Sequence, residues 1–364
     1  MKVKQICMMV LLWLGVIPAV QAQTFDKLWK EVEQAEKKSL PKTVIKLTDE
    51  IYQKGEKERN SAQMLKAYMW RMKTQDILTP DSFYVGLRDL EQWAKQTKQP
   101  MDRAILHSLI AEFYANYAAD NQWQLRQRTE IVGETPSADI REWTANMFVE
   151  KVRTNVKEAL ADSLLLLKTS SRNYIPFVEL GETSEYYHHD MYHLLASRAI
   201  RALNQIERLE RGSFNGITAS PVKQDIINIY ERMTDAYETA GLKEGYVLTM
   251  LQYLEWKRDN DNKLQPVQLK KGLGEWTADT YNAALDELKR QFKSEPICAE
   301  VYLAQVRYAV EKMQQVNALQ LCDEAIRLYP GYRRINALKN LREEILAPFL
   351  NVSAVSQAFP NEEI

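Results

Sequence analysis

Apolar residues recur at helical spacing along nearly the whole chain. Sustained alternation of apolar and polar residues, the pattern of a half-buried strand, does not occur before the C-terminal end. Two apolar stripes illustrate the helical spacing: Leu106, Leu109, Ile110, Phe113 and Tyr117 in one, and Ile226, Tyr230, Met233, Tyr237 and Ala240 in the other. The pattern predicts an all-α protein.

Short turns divide the predicted helices into pairs. Prolines that fit the first turn of a helix, such as Pro41, Pro100 and Pro221, mark helix starts, and Gly241 marks a stop. The predicted pairs are 25–37 with 41–57, 61–76 with 80–96, 223–241 with 243–258, and 296–314 with 316–329. One long helix is predicted over 137–168, with a buried stripe at 164–167. Such antiparallel helix pairs, stacked side by side, form an irregular tetratricopeptide-like (TPR-like) α-solenoid.

The clearest repeat lies near the C-terminal end. Ala284, Leu285, Leu288 and Pro296 recur 34 residues later as Ala318, Leu319, Cys322 and Pro330. This is the period of a TPR, a repeat that binds and spaces other proteins. The following residues, 349–360, have an extended pattern. We therefore expect a short extended C-terminal tail over 348–364.

The N-terminus has the pattern of a secretory signal peptide over residues 1–22. Lys2 and Lys4 precede an apolar run over 6–20, which ends at a small-residue cleavage site. The apolar run is shorter than the roughly 20 residues that a membrane span needs. We expect an exported protein, located in the periplasm, on the cell surface or outside the cell, with no membrane insertion. The expected division of the mature chain is an N-terminal helical array over 23–215 and TPR-like repeats over 216–347.

Charge and cysteine content limit which partners the chain can bind and whether it can form a disulfide. Lys and Arg number 48 against 49 Asp and Glu, and the two signs are mixed along the chain. This balance argues against nucleic acid or an anionic membrane surface as a partner. After processing, the cysteines that remain are Cys298 and Cys322. On two consecutive antiparallel helices they would be offset by on the order of 15 Å, too far for a disulfide, so we predict two unpaired, buried thiols.

One histidine-rich segment could carry chemistry. Glu185, His189 and His193 follow one helix face at spacings that can bind zinc, and 185–193 holds three of the four histidines. His189-Asp190-x-x-His193 also imitates the His-Glu-x-x-His signature of metalloproteases. However, Asp replaces the Glu that acts as the general base, and no histidine follows to supply a third ligand. The interpretation we favour is a polar, aromatic helix edge; a structural metal site and a catalytic site remain as alternatives.

The other candidate sites are weaker still. Gly272-Leu-Gly274 follows no predicted strand and is interpreted as a loop. His107 lies between core positions of its helix, so we expect a hydrogen-bonded helix residue rather than a catalytic one. Tryptophans are spread along the chain as packing residues would be, and no carboxylate pair suggests a glycosidase. The sequence therefore predicts a protein that is not an enzyme and binds no cofactor.

Several segments resemble a known family. They are Asp102-Arg-Ala-Ile-Leu-His107, Tyr117-Ala-Ala-Asp-Asn-Gln-Trp123, Ile175-Pro-Phe-Val-Glu-Leu-Gly181, Glu185-Tyr-Tyr-His-His-Asp-Met-Tyr-His193 and Phe359-Pro-Asn-Glu-Glu-Ile364. Together they resemble the N-terminal helical region of bacterial alpha-2-macroglobulin family proteins, and the last one resembles the start of that family's first β-sandwich. The resemblance implies an exported protein that contributes to protease inhibition or envelope defence.

No functional residue of the family can be assigned to a position of this chain. The family's thioester requires a Cys-x-x-Gln motif, whereas this chain has Cys298-Ala-Glu-Val301 and Cys322-Asp-Glu-Ala325. The chain would then be a spacer or docking platform, with the rest of its own polypeptide, a protein partner or, through the full-length protein, proteases as its contacts. The alternative hypothesis is a self-contained TPR-like scaffold that binds a peptide or protein.

Overall fold

The computed structural model describes residues 17–79, 82–129, 136–181, 190–210, 220–260 and 280–347. Within these ranges the chain forms fifteen α-helices and two short 3-10 turns, without a named strand. The helices are α1 (Ile17–Lys37), α2 (Pro41–Glu58), α3 (Ser61–Leu78), α4 (Ser82–Gln96), α5 (Pro100–Asp120), α6 (Gln122–Gln127), α7 (Ala145–Ala159), α8 (Ser163–Lys168), α9 (Met191–Glu207), α10 (Pro221–Thr239), α11 (Lys243–Asn260), α12 (Thr280–Gln291), α13 (Cys298–Glu311), α14 (Gln315–Leu328) and α15 (Ile335–Leu346). The predicted all-α fold is confirmed. None of these described helices is long and apolar enough to cross a bilayer.

The chain divides into two compact units, Met1–Ala236 and Tyr237–Ile364. The predicted boundary near residue 215 falls within 211–219, outside the described residues. Most of the predicted signal peptide (1–16), the Gly272–Gly274 loop and the predicted tail over 348–364 also lie outside them.

The first unit begins with the predicted helix pairs. Pro41 occupies the first turn of α2, and the Asn60 side chain caps α3 by accepting a hydrogen bond from the Gln63 amide at 3.2 Å. Between α2 and α3, Arg59 adopts a left-handed conformation with a φ of 54°, which lets the chain reverse within two residues. The helices α1, α2 and α3 pack in succession around a core that includes Val32 and Ile51.

The centre of the first unit is α5. It packs against α4, α7 and α9, and apolar residues are buried on more than one of its sides. Leu106, Leu109 and Ile110 of the predicted stripe are all buried. A helix that is surrounded in this way departs from a simple row of pairs, in which each helix has one main partner on either side.

The predicted long helix over 137–168 is wrong. The segment instead forms a 3-10 turn over Ile140–Glu142, then α7, then α8. Polar side chains near the breaks bind the backbone: Asp139 accepts from the Arg141 amide at 2.9 Å, and Asp162 accepts from the Leu165 amide at 3.0 Å. Such caps favour new helix starts over a continuous helix. The stripe at 164–167 is also only partly buried, because Leu166 faces the core while Leu164 is exposed.

The second unit contains the repeat. α13 packs against α12 and α14, its neighbours in sequence, and also against α11 and α15. Of the repeated positions, Ala284, Leu288, Ala318 and Cys322 are buried. The 34-residue echo therefore corresponds to equivalent core positions of α12 and α14, as expected for two second helices of TPR-like pairs.

At two positions in this unit the structure explains why the residue is glycine. Gly241 has a φ of 68°, a left-handed conformation that glycine adopts without strain, and it ends α10 as predicted. Gly245 faces the ring of the fully buried Tyr237, and an added Cβ would lie 2.6 Å from that ring. Glycine at 245 therefore permits a close approach of ring and helix backbone.

Candidate functional site

The histidine-rich segment is only partly within the described residues. Glu185 and His189 lie outside them. His193 is half-buried in the first turn of α9, and its backbone N–H donates to Asp190 Oδ1 at 2.7 Å. Asp190, which occupies the general-base position of the imitated metalloprotease motif, is thus the N-cap of α9. No group of three His, Cys, Asp or Glu side chains within the described ranges is placed to hold a metal ion.

His107 is the hydrogen-bonded helix residue that the sequence predicts. Its Nδ1 lies 2.8 Å from Asn155 Oδ1, and Asn155 Nδ2 donates to the Lys151 carbonyl at 2.8 Å. This second bond fixes the orientation of the Asn155 amide, so its oxygen faces the imidazole ring. Because that oxygen can only accept, Nδ1 of His107 carries the proton and donates. The bond ties α5 to α7 and gives His107 a structural role.

Both cysteines are free and buried, as predicted. Burial raises the pKa of Cys322 to about 11, and it also raises the pKa of Cys298. The thiolate is the reactive form of cysteine, and a raised pKa keeps both side chains protonated at neutral pH. The geometry therefore gives these residues a packing role.

The tryptophans are mostly packing residues, with one clear exception. Trp29, Trp143 and Trp256 are buried, and Trp29 Nε1 donates to Gln63 Oε1 at 2.7 Å. Trp123, on the short helix α6, is 73% exposed. A single exposed indole is common on protein surfaces and does not by itself indicate a site.

The second unit carries a surface built from α11, α13 and α15. On α13, Glu300, Arg307 and Glu311 are spaced by seven and four residues and so share one helix face. Arg334 at the start of α15 donates to both oxygens of Glu300 at 2.9 Å. At the other end of α13, Arg258 of α11 lies 3.2 Å from Glu311. Ion pairs therefore join α13 to α11 on one side and to α15 on the other.

A further ion pair lies at the Glu300 end of this surface. Arg333 donates to Glu244, in the first turn of α11, at 2.8 Å. The Tyr332 hydroxyl donates to Glu300 Oε1 at 2.9 Å within a buried contact, and burial beside the carboxylate raises the pKa of Tyr332. We call this surface the ion-pair face; its residues are Glu244, Glu255 and Arg258 of α11, Glu300, Arg307 and Glu311 of α13, and Arg333 and Arg334 at the start of α15.

Two charges on the ion-pair face have no ion pair within the described part of the chain. Arg307 and Glu255 are both exposed, and neither makes a salt bridge there. Opposite charges on adjacent helices can bind complementary charges of another molecule. Sequence reasoning missed this face, although one clue was present: Glu300 and Arg334 are separated by the same 34 residues as the repeated core positions.

No known protein family matches the chain, and no curated protein matches it. The resemblance to the alpha-2-macroglobulin family therefore stays a prediction.

Proposed function

We propose that this chain is a non-catalytic helical module that docks a protein partner on the ion-pair face of its second unit. The observation that carries the proposal is the packing of α13 against both α11 and α15. Helices on the inner side of a curved stack approach one another more closely than helices on the outer side. The α11, α13 and α15 side is thus the candidate for the concave surface that repeat arrays use for binding.

The ion pairs make this surface suitable for docking. They fix the three helices relative to one another, so the surface is preorganised. Fewer side chains then lose conformational freedom when a partner binds. The exposed Arg307 and Glu255 favour a partner segment that presents both an acidic and a basic side chain. The balanced charge of the whole chain agrees with a protein partner rather than a polyanion.

A more specific proposal is that the module belongs to an exported alpha-2-macroglobulin-like protein. It rests on the segment resemblances and on the N-terminal pattern of a signal peptide. In that setting the module would act as a spacer or docking platform, and protease inhibition would belong to the rest of the polypeptide. Sequencing the gene beyond the codon for Ile364 tests it: repeated β-sandwich segments support the more specific proposal, and an immediate stop codon in the intact gene contradicts it.

Site-specific photocrosslinking tests the docking surface in cells that make the protein. The photoreactive residue p-benzoylphenylalanine replaces Arg307 in one variant and Gln320, which is exposed on α14, in a matched control. We expect irradiation to yield one predominant adduct with another protein at position 307 and little at position 320. Equal yields at both positions, no adduct at either, or adducts only with a second copy of this chain would contradict the proposal.

A further inference from the structure

The first unit contains a cleft of about 440 Å³. It is bounded by α7, α9 and α10, and its size falls within the range of small-molecule sites, roughly 300–1,000 Å³. Neither the proposed docking surface nor any predicted site uses this cleft. Its lining combines a buried apolar floor with a charged rim.

The charges on the rim do not cancel. Three cations and two carboxylates line the cleft, and both carboxylates bind the same arginine. Arg153 Nε donates to Asp225 at 2.5 Å, and its Nη1 donates to Glu150 at 2.7 Å. Lys157 and Arg232 remain; both are exposed, and neither makes a salt bridge with the described residues. The cleft therefore presents two cations, one from α7 and one from α10, whose charges are available to a ligand.

The floor of the cleft adds a polar group. Tyr192 lines the cleft, and 1% of its surface is exposed. Burial raises the pKa of Tyr192 to about 12, so the hydroxyl keeps its proton and can donate. A tyrosine hydroxyl that lines a cleft can donate a hydrogen bond to an acceptor atom of a ligand.

The remaining floor is apolar. Val156, Leu160 and Ile229 line it together with the Tyr192 ring, and they keep 5%, 9% and 7% of their surfaces exposed. A bare inorganic anion would use the cations but would leave this surface in contact with water. A ligand with an apolar body and one anionic head would use both parts of the cleft.

We propose that the cleft binds a small amphiphilic carboxylate. The carboxylate lies between Lys157 and Arg232 and accepts a hydrogen bond from the Tyr192 hydroxyl. The apolar body covers Val156, Leu160 and Ile229. Because the site lies wholly in the first unit, it is independent of the ion-pair face, and either proposal can fail without the other.

Calorimetric titration of the purified chain with octanoate tests the proposal. Two further probes separate the two parts of the ligand: octylammonium keeps the apolar body and reverses the charge, and acetate keeps the charge and lacks the body. We expect octanoate to bind at one site per chain, and the other two probes to bind at least about tenfold more weakly, a difference of about 1.4 kcal/mol. Equal binding of octanoate and octylammonium, equal binding of octanoate and acetate, or no binding of octanoate would overturn the proposal.

Variants locate the site. Arg232→Ala combined with Lys157→Ala should weaken octanoate binding at least about tenfold, and Tyr192→Phe should weaken it several-fold. Lys42→Ala, which removes an exposed lysine of α2, is the matched control and should bind as the unsubstituted chain does. Unchanged circular dichroism shows that each variant is folded. Octanoate affinity that is the same in the folded double variant as in the control would contradict the assignment of the site.

Discussion

The two units each bury a carboxylate in the first turn of a central helix, but they satisfy it in different ways. In the first unit, Asp102 of α5 accepts from Ser61 Oγ at 2.5 Å and from the Tyr174 hydroxyl at 2.9 Å. In the second unit, Glu300 of α13 accepts from the Tyr332 hydroxyl and pairs with Arg334. The first carboxylate is thus held by two hydroxyl groups, and the second by a hydroxyl group and a guanidinium.

The difference follows from what each carboxylate joins. Asp102 connects α5 with positions 41 and 72 residues away, so it fixes distant segments around a central helix. Glu300 connects α13 with the next helix of the stack, 34 residues on. In the first unit the bond holds an irregular arrangement together, whereas in the second it sets the spacing of neighbouring repeats. Three substitution experiments test this distinction.

Glu300→Ala should have the largest effect. The Glu300 and Arg334 side chains are only 8% and 19% exposed, so the substitution breaks an ion pair that is largely buried. Loss of one partner of a buried pair costs about 3 kcal/mol. Hydrogen exchange of the α13 amides measures the local free energy of opening, which should fall by that amount.

Glu244→Ala is the matched control for Glu300→Ala. Its pair with Arg333 is 37% and 35% exposed, and exposed pairs contribute about 0.5 kcal/mol. If Glu244→Ala accelerated exchange in α13 as much as Glu300→Ala, the buried pair would not be what sets the spacing of the repeats.

Asp102→Ala should have a smaller effect, about 2 kcal/mol. The substitution removes two hydrogen bonds but leaves no unpaired charge, because both partners are neutral hydroxyl groups. Faster exchange should extend beyond α5 to the first turn of α3, where Ser61 lies. Exchange that changes only within the first turn of α5 would show that Asp102 does not hold distant segments together.

The tyrosine substitutions should have smaller effects than Asp102→Ala, and the effect of Tyr174→Phe should exceed that of Tyr332→Phe. Tyr174→Phe removes one of the two donors to Asp102 and should cost about 1.5 kcal/mol. Tyr332→Phe leaves Glu300 paired with Arg334 and should cost about 0.5 kcal/mol. Chemical unfolding of the two variants measures both values, and the reverse order would contradict the comparison.

The helix pairs and the repeat could be predicted from sequence because local signals determine them. Pro41 and Pro221 start helices, Gly241 ends one, and the 34-residue echo marks equivalent core positions. The buried thiols and the hydrogen-bonded His107 also followed from helical spacing. These features depend on residues close in sequence or on a strict period.

The features that were missed depend on side-chain caps or on tertiary contacts. The breaks between 137 and 168 come from side-chain caps at Asp139 and Asp162, which an apolar pattern does not reveal. The cleft brings α7, α9 and α10 together, and no spacing in the sequence relates Lys157 to Arg232. The Glu300–Arg334 pair could have been found, had the 34-residue period been searched for complementary charges as well as for apolar residues.

We propose that the ion-pair face of α11, α13 and α15 is the docking surface. The most direct test is the crosslinking yield at Arg307 relative to that at Gln320, measured on the same scale in the same cells. We expect a yield at 307 several times that at 320, with one predominant partner protein in the adduct. A ratio near one, or adducts concentrated at 320, would contradict it.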